Sequence, residues 1–184
     1  MSHNSLSRRH LLAGTAGALA ATAVGGHRPV AAVEPDKNWK ITKGRIKQSV
    51  VAWCFNPMPV EELAAAAAAL GFQSLELADP KHWATLKKHG LTCAIAGSHG
   101  FQKGWNHKEN WEFCKDKIAA AVEASADFGC PNVITFSGML DGIDPDEGKK
   151  NTIAGLKTVI SLAEERKVNL WLEMLNTRVD ENMK

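Results

Sequence analysis

The chain has 184 residues, 22 Lys and Arg against 20 Asp and Glu, and a formal net charge of +2. Arg8, Arg9 and Arg28 sit in an N-terminal stretch with no acid; setting it aside leaves 19 basic residues against 20 acidic. A near-neutral body gives no electrostatic footprint for nucleic acid or an anionic membrane. Four cysteines without a C-x-x-C pair or a completing histidine spacing argue against a structural zinc site.

The first segment, Ser7-Arg8-Arg9-His10-Leu11-Leu12 followed by an Ala- and Gly-rich apolar run from Ala13 to Val24, reads as a twin-arginine export signal. Val30-Ala31-Ala32 offers a small-residue cleavage site, with Ala21-Thr22-Ala23 as a second choice. The run is too short and too weakly apolar to span a bilayer. Residues 1–32 are therefore expected to be a leader, with a periplasmic or otherwise extracytoplasmic protein and no stable membrane anchor. Residues 33–45, with Pro35 and Gly44, read as a linker. Cys54 and Cys93 fall inside apolar runs and are expected as small buried hydrophobes. Export in a folded state from a reducing cytoplasm argues against a disulfide framework.

Ile46–Phe55 is rich in β-branched and aromatic residues and predicts a first strand, stopped by Asn56-Pro57-Met58-Pro59. Val60–Leu70 predicts a helix: Pro59 precedes it, Glu61 and Glu62 occupy its first turn, and alanines fill it up to Gly71. A second strand is expected over Ser74–Asp79, a short helix over Pro80–His89, and a third strand over Leu91–Ser98. The loop from His99 to Asn106 leads into a helix over about Lys108–Phe128. A fourth strand covers Asn132–Ser137. A helix over Asp146–Lys167 follows, with Ile153, Leu156, Ile160 and Ala163 on one face. Val168 begins a fifth strand.

Five strands alternating with four helices through short turns imply a parallel sheet covered by its crossover helices. Two architectures fit this α/β pattern. One is a complete five-stranded doubly wound domain; the other is a (β/α)8 TIM barrel, of which residues 46–184 would be the N-terminal part, truncated after strand five. The chain ends at Asp180-Glu181-Asn182-Met183-Lys184 with no helix to cover strand five. A parallel strand bare on one face is unusual, so the expectation leans toward an incomplete barrel. In either fold the working end is the carboxyl edge of the strands, where Asn56, Glu76, Asp79, His99, Ser137 and Glu173 collect.

The last of these is the sharpest candidate. In Val168-Asn169-Leu170-Trp171-Leu172-Glu173, one carboxylate stands in an apolar run. If that run is a strand, Asn169, Trp171 and Glu173 share one face while Val168, Leu170 and Leu172 share the other. A carboxylate buried bare among apolar groups costs several kcal/mol, so it is paired, metal-bound or protonated, or else it turns to solvent.

Three segments carry a resemblance: Gly-Phe-Gln-Ser-Leu-Glu-Leu over 71–77, Phe-Gly-Cys-Pro-Asn-Val-Ile-Thr-Phe-Ser-Gly over 128–138, and Leu-Glu-Met-Leu-Asn-Thr-Arg-Val-Asp over 172–180. Together they resemble the hydroxypyruvate isomerase branch of the xylose isomerase-like sugar isomerases and epimerases, over about Ile46 to Asp180. The third segment is the most specific. The resemblance implies a (β/α)8 barrel with a divalent metal, Mg²⁺ or Mn²⁺, held by carboxylates and a His or Gln at later strand ends. It implies Glu173 as metal ligand and as one of two catalytic carboxylates. Glu76 would be a pocket group, and Asn176 and Arg178 would border a small sugar or keto-acid substrate, with His99 as a further substrate hydrogen-bond candidate. The remaining ligands and the second catalytic Glu belong to strands six to eight, so this chain by itself is expected to be inactive. Self-association is left open.

The expected chemistry is proton transfer beside a carbonyl through an ene-diolate, as in hydroxypyruvate to tartronate semialdehyde. A sugar epimerase of the same superfamily and an exported, non-catalytic sugar-binding barrel remain as alternatives. A nucleotide or flavin module ranks last, because the first strand-to-helix turn, Phe-Asn-Pro-Met-Pro, has no glycine-rich phosphate cradle.

Overall fold

A computed structural model describes residues 38–173. Five strands lie in it: β1 (Ser49–Val51), β2 (Ser74–Glu76), β3 (Thr92–Cys93), β4 (Asn132–Phe136) and β5 (Asn169–Glu173). All pairings are parallel and follow chain order, β1 with β2, β2 with β3, β4 with β5. Between β3 and β4 the pairing narrows to one parallel bridge, Ala96 opposite Val133. Backbone bonds from Ala96 to the Asn132 carbonyl and from Ile134 to the Ala96 carbonyl, both 2.9 Å, make that bridge.

This order separates the two architectures that the pattern left open. A doubly wound sheet reverses its strand order at a switch point. Here each strand lies beside its predecessor, as barrel closure requires. The chain folds as part of a (β/α)8 barrel.

The helices are α1 (Val60–Leu70), α2 (Trp83–Lys88), α3 (Trp111–Phe128), α4 (Pro145–Leu156) and α5 (Ile160–Glu165). They cover one face of the sheet. Val50, Leu75, Cys93, Val133 and Leu170 of the strands pack there against Leu63, Ala67, Leu86, Ile118 and Val122 of the helices. Trp83 of α2 stacks on Phe128 of α3 at 4.7 Å between ring centroids, joining neighbouring helices.

Helix α1 has the bounds read from the sequence, with both first-turn glutamates and Gly71 as its cap. Its last carbonyl, that of Leu70, accepts the Ile41 amide at 2.8 Å, so part of the expected linker docks on the domain. The leader, residues 1–32, lies outside the described residues.

Other boundaries differ, for identifiable reasons. The first strand is three residues, not ten, and turns into a 3-10 helix over Ala52–Phe55. Its neighbour β2 stops at Glu76 because Leu77 adopts a left-handed φ of 52°, a conformation costing roughly 1–2 kcal/mol for an L-residue. Beyond Val51, β1 has no ladder to follow. Cys54 is thereby exposed rather than buried.

The expected helix over Asp146–Lys167 is two helices, so five helices connect the strands and not four. Thr158 bonds back to the Gly155 carbonyl through both its amide (3.0 Å) and its hydroxyl (2.6 Å). That tightens the turn and lets the chain restart at Ile160. Of the four residues expected on the buried face, Ala163 is buried and Leu156 packs against the core, but the two isoleucines do not. Ile153 and Ile160 are 49% and 41% exposed, while Gly148, Asn151, Thr152 and Gly155 face inward. The reason is the indole of Trp105, fully buried against α4, which leaves no room for a side chain at Gly155.

Gly155→Ala is expected to drive a methyl into the Trp105 ring and destabilise the fold by about 1–3 kcal/mol. Ile160→Ala should change it by less than about 0.5 kcal/mol, despite removing the larger apolar group. Urea unfolding of both variants checks this ordering.

Candidate active site

The strand alternation that buries Val50, Leu75, Val133 and Leu170 against the helices turns their neighbours to the opposite face, the inner side of a barrel. Glu76 ends β2 on that face, one step beyond Leu75, and Glu173 of β5 lies on it too. The Glu76 carboxylate is half-buried and accepts a hydrogen bond from the Ser49 hydroxyl of β1. Along β5, Asn169, Trp171 and Glu173 are exposed while Leu170 and Leu172 are half-buried. Glu173 stands opposite Phe136 in register.

Leu172 points the other way, into an apolar groove of about 500 Å³ lined by Met139, Leu140, Ile143 and Ile153. Because Leu172 and Glu173 are consecutive in a strand, that groove opens on the face of β5 away from the carboxylate.

Two sets of side-chain hydrogen bonds brace the sheet around this site, one on the inner face and one on the helix side of β4. Asn132 ties three strands together. Its side-chain amide donates to the Ala94 carbonyl beyond β3 at 2.8 Å, and its oxygen accepts from Asn169 (3.0 Å) and from the Trp171 indole (2.9 Å) of β5. The second set is a relay behind β4. The Trp105 indole N–H, which can only donate, is 2.8 Å from the Thr135 hydroxyl. Thr135 must then turn its own proton to Nε2 of His99, also at 2.8 Å. Nδ1 of His99 carries the ring proton and donates to the Gly100 carbonyl at 3.0 Å.

His99 is 8% exposed, and burial pushes its pKa below the ordinary histidine value, so the ring stays neutral. Phe113 and Phe136 meet it edge-on, at 6.1 and 5.7 Å between centroids. As placed, both of its ring nitrogens are taken by the protein. Its work here is to orient Thr135 and, through it, Trp105. The only hint in the sequence was a histidine and two tryptophans close together around a polar loop, Trp105 and Trp111 following His99.

Asp79, another strand-end acid, caps the turn over Pro80–His82. Its carboxylate accepts the Lys81 amide at 3.0 Å and faces the Lys81 ammonium at 3.2 Å, and the amide bond first of all holds its pKa below the usual range. Ser137 lines the apolar groove. Asn176 and Arg178 lie outside the described residues.

A divalent cation of the expected kind wants about six oxygen ligands. Among the described residues no group of three or more His, Cys, Asp or Glu side chains converges to hold one. Glu173 alone supplies too few of those ligands to make a metal site.

The neutral His99 sets a pH dependence. Its folded-state pKa is depressed, so its contribution to stability is complete above the ordinary histidine value of 6.5 and is lost as pH falls below it. The stability difference between the native chain and His99→Gln should therefore shrink between about pH 7.5 and pH 5.5. Thr135→Val leaves the Trp105 and His99 nitrogens unpaired and should cost about 1–3 kcal/mol. Denaturant titrations at the two pH values measure both.

The family model that describes the xylose isomerase-like TIM barrel matches residues 64–182. Solved structures share the fold. An AP endonuclease of family 2 from Brucella melitensis aligns with a TM-score of 0.63 at 20% identity, over 72% of this chain and 57% of its own. A D-psicose 3-epimerase from Clostridium cellulolyticum H10, solved with D-tagatose, gives 0.58 at 15% identity, over 73% and 54%. A 3-keto-D-glucoside 4-epimerase from E. coli gives 0.57 at 19% identity, over 72% and 57%. The chain thus spans little more than half the length of these proteins. No curated protein sequence matches it. With strands paired in chain order, helices on one face and the family model covering most of its length, the chain belongs to the xylose isomerase-like TIM barrel family.

Proposed function

We propose that the complete protein is an intramolecular isomerase or epimerase of a small sugar or hydroxy-keto acid, and that Glu173 is one of its two proton-transfer groups. The observation that supports this most is the position of Glu173: on the inner face of β5, level with Phe136 at the carboxyl end of β4, the edge where barrel enzymes assemble their sites. Glu76 holds the matching position on β2. Epimerases among the structures that share the fold point the same way.

Within the proposal, the Glu173 carboxylate removes the proton from the carbon beside the substrate carbonyl, and the electron pair left behind becomes an ene-diolate. A second acid returns a proton: to the neighbouring carbon for isomerisation, to the opposite face of the same carbon for epimerisation. Arg178 holds a substrate carboxylate or hydroxyl through its planar guanidinium, Asn176 borders the substrate beside it, and Glu76, oriented by Ser49, bonds a substrate hydroxyl. Trp171 and Phe136 offer apolar surface beside Glu173. A divalent ion, Mg²⁺ or Mn²⁺, belongs to the proposal as a cofactor of the complete protein.

The finer reading is hydroxypyruvate to tartronate semialdehyde, supported by Leu172-Glu173-Met174-Leu175-Asn176-Thr177-Arg178. The Arg8-Arg9 leader supports an extracytoplasmic site of action.

Glu173→Gln in the complete protein, assayed with Mg²⁺ or Mn²⁺ present, should lower turnover by about 10²–10⁴-fold with unchanged circular dichroism. Turnover within about twofold of the native protein would remove Glu173 from the reaction.

A further inference from the structure

We propose that residues 38–48 form a docking surface for an anionic phospholipid bilayer, at the end of the sheet opposite Glu76 and Glu173. The near-neutral charge of the chain is an average. Lys40, Lys43, Arg45 and Lys47 follow Lys37 in quick succession, and no Asp or Glu stands between Asp36 and Glu61. Lys40, Lys43, Arg45 and Lys47 are all exposed. None of these four takes part in an ion pair among the described residues. Their charge is left for a partner outside the chain.

The domain holds this segment at both ends. The Ile41 amide donates to the Leu70 carbonyl at 2.8 Å, and a Cβ added at Gly71 would stand 3.2 Å from that of Ile41, so the isoleucine lies hard against the end of α1. Gly44, with a φ of 53°, turns the chain. The Gln48 carbonyl then accepts the Gln73 amide at 3.1 Å, just where β1 and β2 begin. The turn encloses an open hollow of about 290 Å³ lined by Lys40, Lys43 and Arg45 together with Trp39 and Ile46. Ile41 is half-buried, whereas Trp39 is 56% and Ile46 73% exposed. Two large apolar side chains thus stand in water among unpaired cations.

That combination selects the partner. Each Lys or Arg close to an anionic bilayer strengthens association by about fivefold. A Trp settles at headgroup depth, its ring against the acyl boundary and its N–H in the polar layer. The hollow offers three cations to a lipid phosphate, and Ile46 beside it has the acyl boundary to enter. A nucleic acid would meet the same cations, but its phosphate backbone rewards no exposed isoleucine. The association is peripheral, since among the described residues no helix is long and apolar enough to cross a membrane. The segment lies at the amino ends of β1 and β2, whereas Glu76 and Glu173 lie level with the carboxyl ends of β1 and β4. A bilayer bound there leaves the barrel mouth open to solution.

The test measures co-sedimentation with vesicles of phosphatidylcholine alone or with about 30% phosphatidylglycerol. Every protein is the full chain with Arg8, Arg9 and Arg28 replaced by Ser, so that the cations of the N-terminal stretch add nothing. The expected result is binding to the anionic vesicles about a hundredfold tighter than to the neutral ones at about 0.05 M NaCl, a preference lost at about 0.5 M. Replacing Lys40, Lys43, Arg45 and Lys47 together by Ser should remove that preference, and Trp39→Ser with Ile46→Ser should weaken binding about tenfold, both with unchanged circular dichroism. Equal binding to the two kinds of vesicle would overturn the proposal, as would either variant binding like its parent, or retention on a short DNA duplex with none on vesicles. The lipid and salt comparisons use the unsubstituted segment, so they stand however well the serine variants fold.

Discussion

Everything in this structure hangs on one narrow join. β1, β2 and β3 form one ladder and β4 with β5 another, and a single bridge between Ala96 and Val133 makes them a continuous curved sheet. One bridge supplies too few backbone bonds to hold two ladders in register, so side chains do the rest. Asn132 bonds to Ala94 on one side and to Asn169 and Trp171 on the other. Ser98 donates to the Ile134 carbonyl at 2.5 Å. Above them the Trp105–Thr135–His99 relay pins the loop after β3 to the middle of β4. Each bond is modest in water, but a buried donor left without its acceptor costs about 1–3 kcal/mol, so the set enforces one geometry.

The join also explains where the polar residues go. Once the sheet curves in chain order, the residues that do not face helices face the inside of a barrel, and those at strand ends face its carboxyl mouth. Glu76 and Glu173 arrive there by parity alone, one on each ladder. A shift of one residue in the β4–β5 register would leave the hydrogen-bond ladder intact in kind but send Glu173 to the helix side. The Asn132 clamp, which fixes Asn169 and Trp171, is therefore also what aims Glu173.

Much of this was legible. Helix α1 was readable because its signals are local: proline before, acids in the first turn, alanines within, glycine after. The parity of β5 was readable because Asn169, Trp171 and Glu173 alternate with Leu170 and Leu172. What could not be read depends on contacts distant in sequence. The inward face of α4 is made of Gly148, Asn151, Thr152 and Gly155, because an indole some fifty residues earlier fills the space. Hydrophobic periodicity chose Ile153, Leu156, Ile160 and Ala163; Leu156 and Ala163 do pack inward, while both isoleucines are exposed. The length of β1 likewise depends on where Leu77 leaves the neighbouring strand. His99 was visible as a histidine at a strand end, but its burial and its pairing with Thr135 and Trp105 were not.

Proton transfer beside a carbonyl at this barrel mouth is what we propose. The most direct measurement is to incubate the complete protein with hydroxypyruvate and a panel of small ketoses in deuterium oxide, with Mg²⁺ or Mn²⁺ present, and follow the carbon-bound protons by NMR. Deuterium is expected to enter at the carbon next to the carbonyl of at least one of these compounds, together with formation of its isomer or epimer. Saturable binding of a sugar with no exchange at that carbon would contradict it and leave a barrel that binds without chemistry.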